Sequence, residues 1–379
     1  MEFTINKQEL LNNLVKVGKY SARSTTLPIL CGIYLKATSN ELLLVASNKE
    51  DTIVSTISET NNFNIVQEGE VVVPKTITDI VKKLPDDTVS FTLDNNNSLH
   101  ISSGKTNYSL NTLSADDYPD FTTKTLKFLV TISLKKLQRS VEATHYCAAE
   151  NHSKPQLKGI EISITNKEIA FAATDANTLS RSTIPITTDN NIEEKLLYSC
   201  IVPSKWLYDA IKMFEEEEIE LGFEGNSAIL RSKDLHIKTQ IIEGKYPDVV
   251  KFMEFEKKVK TTISTDRLQL INSLEQVNVI CSMNNPKSAA LLKLELNSKE
   301  FSLSNNNKSL GDVIVKNPIE IDGETIPISI GFSIDYMLRH LKSMQDDVVK
   351  IGFIAEQSPL IFRNMNTEDF KLMLPIRIG

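Results

Sequence analysis

Phe3-Thr4-Ile5-Asn6-Lys7, Val130-Thr131-Ile132-Ser133-Leu134 and Thr261-Thr262-Ile263-Ser264 are three versions of one signal. In each, a short strand-like stretch carrying Thr-Ile runs into an amphipathic helix, predicted over residues 7–20, 133–146 and 265–280. Thr4, Thr131 and Thr262 are 127 and 131 residues apart. That spacing is the size of an ordinary globular domain and far exceeds the period of a solenoid or propeller. The chain therefore reads as three tandem copies of one domain.

A second helix recurs inside each copy. It starts at Val73-Pro74-Lys75, Val202-Pro203-Ser204-Lys205 and Phe332-Ser333-Ile334, which predicts helices over 75–84, 204–214 and 333–345. Proline suits the first helical turn, and Ser204 and Ser333 can cap free amides. Elsewhere apolar and polar residues alternate between turn clusters such as Asp94–Ser98 and Glu224–Ser227, the pattern of antiparallel hairpins. Each copy is then an α+β unit of about eight strands, with two helices packed on antiparallel sheets. Tyr118-Pro119-Asp120 and Tyr246-Pro247-Asp248 recur as exits, giving expected domains at 1–125, 126–253 and 254–379.

Composition narrows the function. A chain of 379 residues, 41% apolar, can bury several cores, yet its longest apolar runs fall far short of the ~20 residues needed to cross a bilayer. The start Met1-Glu2-Phe3-Thr4 has no charged-then-apolar leader, so a cytoplasmic protein without a membrane role is expected. Cys31, Cys147, Cys200 and Cys281 form no Cys-x-x-Cys pair, and the five histidines have no metal-ligand spacing. His145 and His340, on basic helices, are expected to be solvated or groove-facing. Ser103-Gly104-Lys105-Thr106 imitates the end of a phosphate-binding loop, but it lacks the first glycine and falls in a hairpin pattern. No nucleophile elbow and no convergent acid and base are present. Neither a catalytic residue, a metal site nor a cofactor is assigned; the alternative is a triplicated enzyme or metabolite-binding protein whose site carries no recognised motif.

The charges are segregated. The six predicted helices hold 14 Lys and Arg against seven acids. They are thus +7 in a chain of −7, and the remainder is −14. Helices gathered on one face would make it basic, and basic helices poor in aromatics suit phosphate contact without base reading.

Thr26-Leu27-Pro28-Ile29-Leu30, Leu113-Ser114-Ala115-Asp116-Asp117-Tyr118-Pro119, Ala173-Thr174-Asp175, Gly244-Lys245-Tyr246-Pro247-Asp248 and Met373-Leu374-Pro375-Ile376-Arg377, in this order, resemble the bacterial DNA polymerase III beta subunits, the sliding clamps. The resemblance spans the whole chain. It implies two chains joined head to tail as a closed six-domain ring around double-stranded DNA. The ring would tether the replicative polymerase and act as its processivity factor. It implies DNA contacts at Arg23, Lys75, Lys154 and Lys205, to which the basic helices add Lys82, Lys136 and Arg139 as expected contacts. A partner-peptide groove between the second and third domains would use Leu157, Thr174, Leu179, Pro247, Tyr336, Leu374, Pro375, Ile376 and Arg377. The homodimer seam would use Tyr108 and Leu110 on one side and Ile280 and Cys281 on the other. Implied partners are the DNA polymerase III catalytic subunit, the clamp loader, and other polymerases, ligase and mismatch-repair proteins bearing clamp-binding peptides. One departure falls in the groove: the family's usual Gly-His-Arg-Leu after Thr-Asp is here Ala176-Asn177-Thr178-Leu179.

Overall fold

A computed structural model describes residues 1–58, 63–121, 128–186, 195–282, 289–294, 299–307, 310–324, 327–364 and 367–376. Its helices are α1 (Lys7–Val17), α2 (Ile77–Lys83), α3 (Leu134–Thr144), α4 (Ser204–Ala210), α5 (Val249–Met253), α6 (Arg267–Ser282) and α7 (Ile334–Lys342). Six are the helices expected from the repeats. The seventh, α5, directly follows the Tyr246-Pro247-Asp248 exit, where only a linker was foreseen.

Helix limits follow local chemistry. The Asn6 carboxamide oxygen accepts from the Gln8 and Glu9 amides at 2.9 and 3.1 Å, starting α1. Gly18 ends it, its amide donating to the Leu14 carbonyl at 2.8 Å. Leu10, Leu14 and Val17 form the buried face of α1. Ser333 caps α7 by accepting from the Tyr336 amide.

The packing divides the chain into two compact units, residues 1–135 with 209–241 and residues 136–208 with 242–379. The first unit holds a five-stranded sheet, in which Phe3 stacks on Phe91 at 4.8 Å between ring centroids, and an eight-stranded sheet. The eight-stranded sheet joins two repeats, because Asp51–Ser58 of the first pairs antiparallel with Leu235–Gln240 of the second, Ile53 opposite Ile237. Ser103 and Thr106 close a tight hairpin through Gly104, whose φ of +55° suits glycine. The phosphate-loop lookalike is that turn.

The second unit repeats the device. A nine-stranded sheet runs from the second repeat into the third, with Thr178–Pro185 antiparallel to Phe370–Met373. A four-stranded sheet completes the third repeat. The central repeat is therefore shared between the two units. Its strands satisfy their edges by pairing with those of each neighbour, so sequence repeats and packing units do not coincide. Among the described residues no helix is long and apolar enough to cross a membrane. Cys147, Cys200 and Cys281 are buried.

Candidate functional site

Antiparallel register builds the site in the second unit. Leu179 faces Leu372 across the Thr178–Pro185 and Phe370–Met373 strands, and both side chains belong to a core cluster with Ile201, Tyr246, Val249 and Phe370. The outward side of this cluster floors a groove of about 510 Å³. Leu157, Pro247, Phe252 and Leu374 supply its apolar walls, and Lys154, Gln156, Asn177, Lys245 and Asp248 supply polar groups. Phe252 and Leu374 stay 38% and 37% exposed, so the groove presents large apolar surface to solvent. An apolar trough with a few polar groups suits a short peptide with apolar anchors.

Hydrogen bonds fix the groove wall. The buried Tyr246 hydroxyl accepts from the Thr174 amide at 3.0 Å and donates to the Gly159 carbonyl at 3.3 Å; burial pushes its phenol well above the usual range. Asp175 accepts from the Asn177 and Thr178 amides at 2.9 and 2.8 Å, a turn that the aspartate side chain closes on its own backbone. Tyr336 faces this carboxylate, and burial, followed by the Asp175 charge, pushes its phenol up to about 12.

Ala176 sits inside that turn at φ +76°, a left-handed conformation that disfavours any Cβ. The family's glycine at this place is free of that cost. Ala176→Gly is expected to stabilise the protein by about 1 kcal/mol, less the entropy that glycine adds to the unfolded chain. A rise in the urea midpoint at unchanged slope would show it, and a fall would mean that the turn is not strained.

Of the residues expected at the groove, Leu157, Thr174, Leu179, Pro247 and Leu374 line it. Tyr336 braces the Asp175 turn instead of lining the groove. Pro375 and Ile376 extend beyond it, tied down by the Leu374 amide donating to the Asn177 carbonyl and the Ile376 amide to the Gly331 carbonyl, each at 2.8 Å. Arg377 lies outside the described residues. Tyr246, Phe252 and Leu372 line the groove but were not assigned to it from the sequence. The recurrence of Tyr246-Pro247-Asp248 was the visible signal for Tyr246.

The basic residues divide by surroundings. Arg23, Lys75, Lys82, Lys136, Lys154 and Lys205 are exposed, and their charged ends make no ion pair or side-chain hydrogen bond among the described residues. Lys154 also lines the groove. Arg139 is different, since its guanidinium binds the nearly buried Asp369 carboxylate at 2.9 Å. Lys16, Arg339 and Lys342 are likewise paired, with Glu215, Asp335 and Glu275. His340, expected to be solvated or groove-facing, is fully buried, stacked on Phe362 at 5.1 Å. Its position on the inner face of α7, beside Met337 and Leu341, puts it in the core.

At the seam positions, Tyr108 and Leu110 lie on Thr106–Asn111, the last strand of the five-stranded sheet. Tyr108 is 38% exposed. Cys281 turns into the third-repeat core, whereas Val279 beside Ile280 is 63% exposed.

Models of the N-terminal, central and C-terminal domains of the DNA polymerase III beta subunit match residues 1–122, 131–248 and 255–377. The beta sliding clamp of Staphylococcus epidermidis (strain ATCC 12228) is 26% identical, and that of Staphylococcus aureus (strain N315) 27%, each over the whole chain and 99% of the relative. The crystal structure of the DNA polymerase sliding clamp from Bacillus subtilis superimposes with a TM-score of 0.91 at 24% identity, covering both chains fully. That of the Pseudomonas aeruginosa clamp bound to griselimycin gives 0.88 at 21%, also over both chains fully. With all three domain models matched in order along nearly the whole length, this chain belongs to the DNA polymerase III beta subunit family.

Proposed function

We propose that this chain acts as a sliding clamp: two copies close head to tail into a ring around duplex DNA and tether the replicative polymerase as its processivity factor. The observation that carries this reading is the ordered match of all three domain models along the chain. Lys75, Lys82, Lys136 and Lys205 on and beside the repeat helices, exposed and without an ion pair among the described residues, support it, as do Arg23 and Lys154. Cations without an internal partner are available to phosphates, and phosphate contacts carry no sequence information, so such a ring is free to slide. Arg139 contributes less, because reaching a phosphate would strip Asp369 of its partner.

Sheet edges support the seam. Thr106–Asn111 and Gly311–Pro318 each end a sheet among the described residues, and each exposes a large apolar side chain, Tyr108 and Ile314. Pairing such edges between chains would cover both. The groove floored by Leu179 and Leu372 would then dock apolar-anchored peptides of the polymerase catalytic subunit, of the clamp loader, and of other polymerases, ligase and mismatch-repair proteins in the cytoplasm. The role requires no catalysis. Electron micrographs of the purified protein test the assembly: a closed ring with an opening wide enough for duplex DNA is expected, and isolated elongated chains at micromolar concentration would overturn it.

A further inference from the structure

Strand alternation puts a second cross-strand pair next to the one that floors the groove. Leu179 faces Leu372 on the groove side; one residue along, Ser180 faces Lys371, and these side chains point to the opposite face of the sheet. Lys371 is 1% exposed, yet its ammonium is fully occupied. Its three N–H groups are shared among four acceptors, the Ala143 carbonyl at 2.9 Å, Ser343 Oγ at 3.0 Å, Tyr146 Oη at 3.2 Å and Ser180 Oγ at 3.3 Å. These partners come from the end of α3, the turn that follows α7, the short helical turn at His145–Cys147, and the neighbouring strand. The Ser180 hydroxyl also donates to the Ala143 carbonyl at 2.6 Å, and Tyr146 Oη lies 2.7 Å from His340 Nδ1. A buried charge persists only where such bonds replace its water.

We propose that Lys371 is a positioning residue for the groove, its ammonium clasping the back of the strand pair whose front is the Leu179–Leu372 floor. The inference rests on the peptide-docking reading given above. Losing the proton removes one of three donors while four acceptors remain, so the clasp loosens and the floor shifts.

The surroundings single out Lys371 as the switchable group. Burial pulls its ammonium down to about 8; the Asp369 carboxylate opposes that shift, and Arg139 adds to it. Beside the Arg139–Asp369 ion pair, the titratable groups that face it are His340, Cys147 and Tyr146, and these stay neutral through that range. Burial first, and then Lys371 itself, holds His340 well below the usual imidazole value. Burial pushes the Cys147 thiol up to about 12 and the Tyr146 phenol well above its usual value.

Methyl NMR of the full chain between pH 6.5 and 9.5 reads the floor directly, and a labelled peptide, acetyl-Ala-Leu-Ala-Leu-Phe-amide, reads the groove. In the wild type the Leu179 and Leu372 methyl signals should titrate with a midpoint near the Lys371 value. Peptide affinity should fall about fivefold across the same range, the worth of roughly one hydrogen bond. Lys371→Met should abolish both pH dependences. Ser343→Ala, which removes one acceptor of the ammonium and keeps the lysine, should move the midpoint to lower pH even if Lys371→Met does not fold. A purely structural lysine would leave these profiles flat. PH-independent methyls with peptide bound overturn the positioning role; titrating methyls with no peptide bound at any pH leave it standing and overturn the docking reading.

Discussion

Phe252→Ala combined with Leu374→Ala is expected to weaken binding of an apolar-anchored peptide about a hundredfold while lowering the denaturation midpoint without unfolding the protein. Both side chains line the groove and remain more than one-third exposed, so their truncation costs the folded protein less than that of a fully buried core side chain. A docked peptide would lose both walls. Completing the burial of two such side chains contributes about 3 kcal/mol, or about a hundredfold in dissociation constant. The backbone bond from the Leu374 amide to the Asn177 carbonyl survives the change, so the strand stays in place. Fluorescence anisotropy with the labelled peptide and with the polymerase subunit reads the effect. Unchanged affinity would show that partners dock elsewhere.

Reversing Lys82 and Lys136 to Glu is the second large effect. Both side chains are exposed and unpaired, so the exchange breaks no internal ion pair among the described residues. If each meets one phosphate, two released counterions are worth about two-hundredfold in affinity for duplex DNA at 50 mM salt and about twentyfold at 200 mM. The salt slope should fall by about 2, and the loss should be the same on unrelated sequences. An unchanged slope would remove these residues from the DNA-facing surface. Arg139 is left out of the test, since its reversal would place two carboxylates together at Asp369.

The repeat signal carried much of the architecture. Thr-Ile before a helix, seen three times, and the Val-Pro and Ser starts of the second helix in each copy together located six of the seven described helices, and the alternating runs predicted hairpins such as Ser98–Ser103 with Thr106–Asn111. The division of the central repeat between two units was hidden, because pairing of Ile53 with Ile237, or of Leu179 with Leu372, joins segments far apart in sequence. Within the groove, Leu157, Leu179 and Leu374 came from family resemblance. Phe252 and Leu372 escaped notice because short apolar runs look alike whether they face a core or a groove. Lys371 was invisible for the same reason that makes it informative: a lysine on a terminal strand reads as solvated, and only the packing of α3 and α7 behind the sheet buries it.

Encirclement is the central claim, and topology tests it most directly. The protein is loaded with its clamp loader onto nicked circular DNA, isolated by gel filtration at high salt, and the circle is then cut once. Ring-shaped enclosure predicts retention on the intact circle and rapid loss from the linear product. Equal retention on both, or equal loss from both, would contradict it.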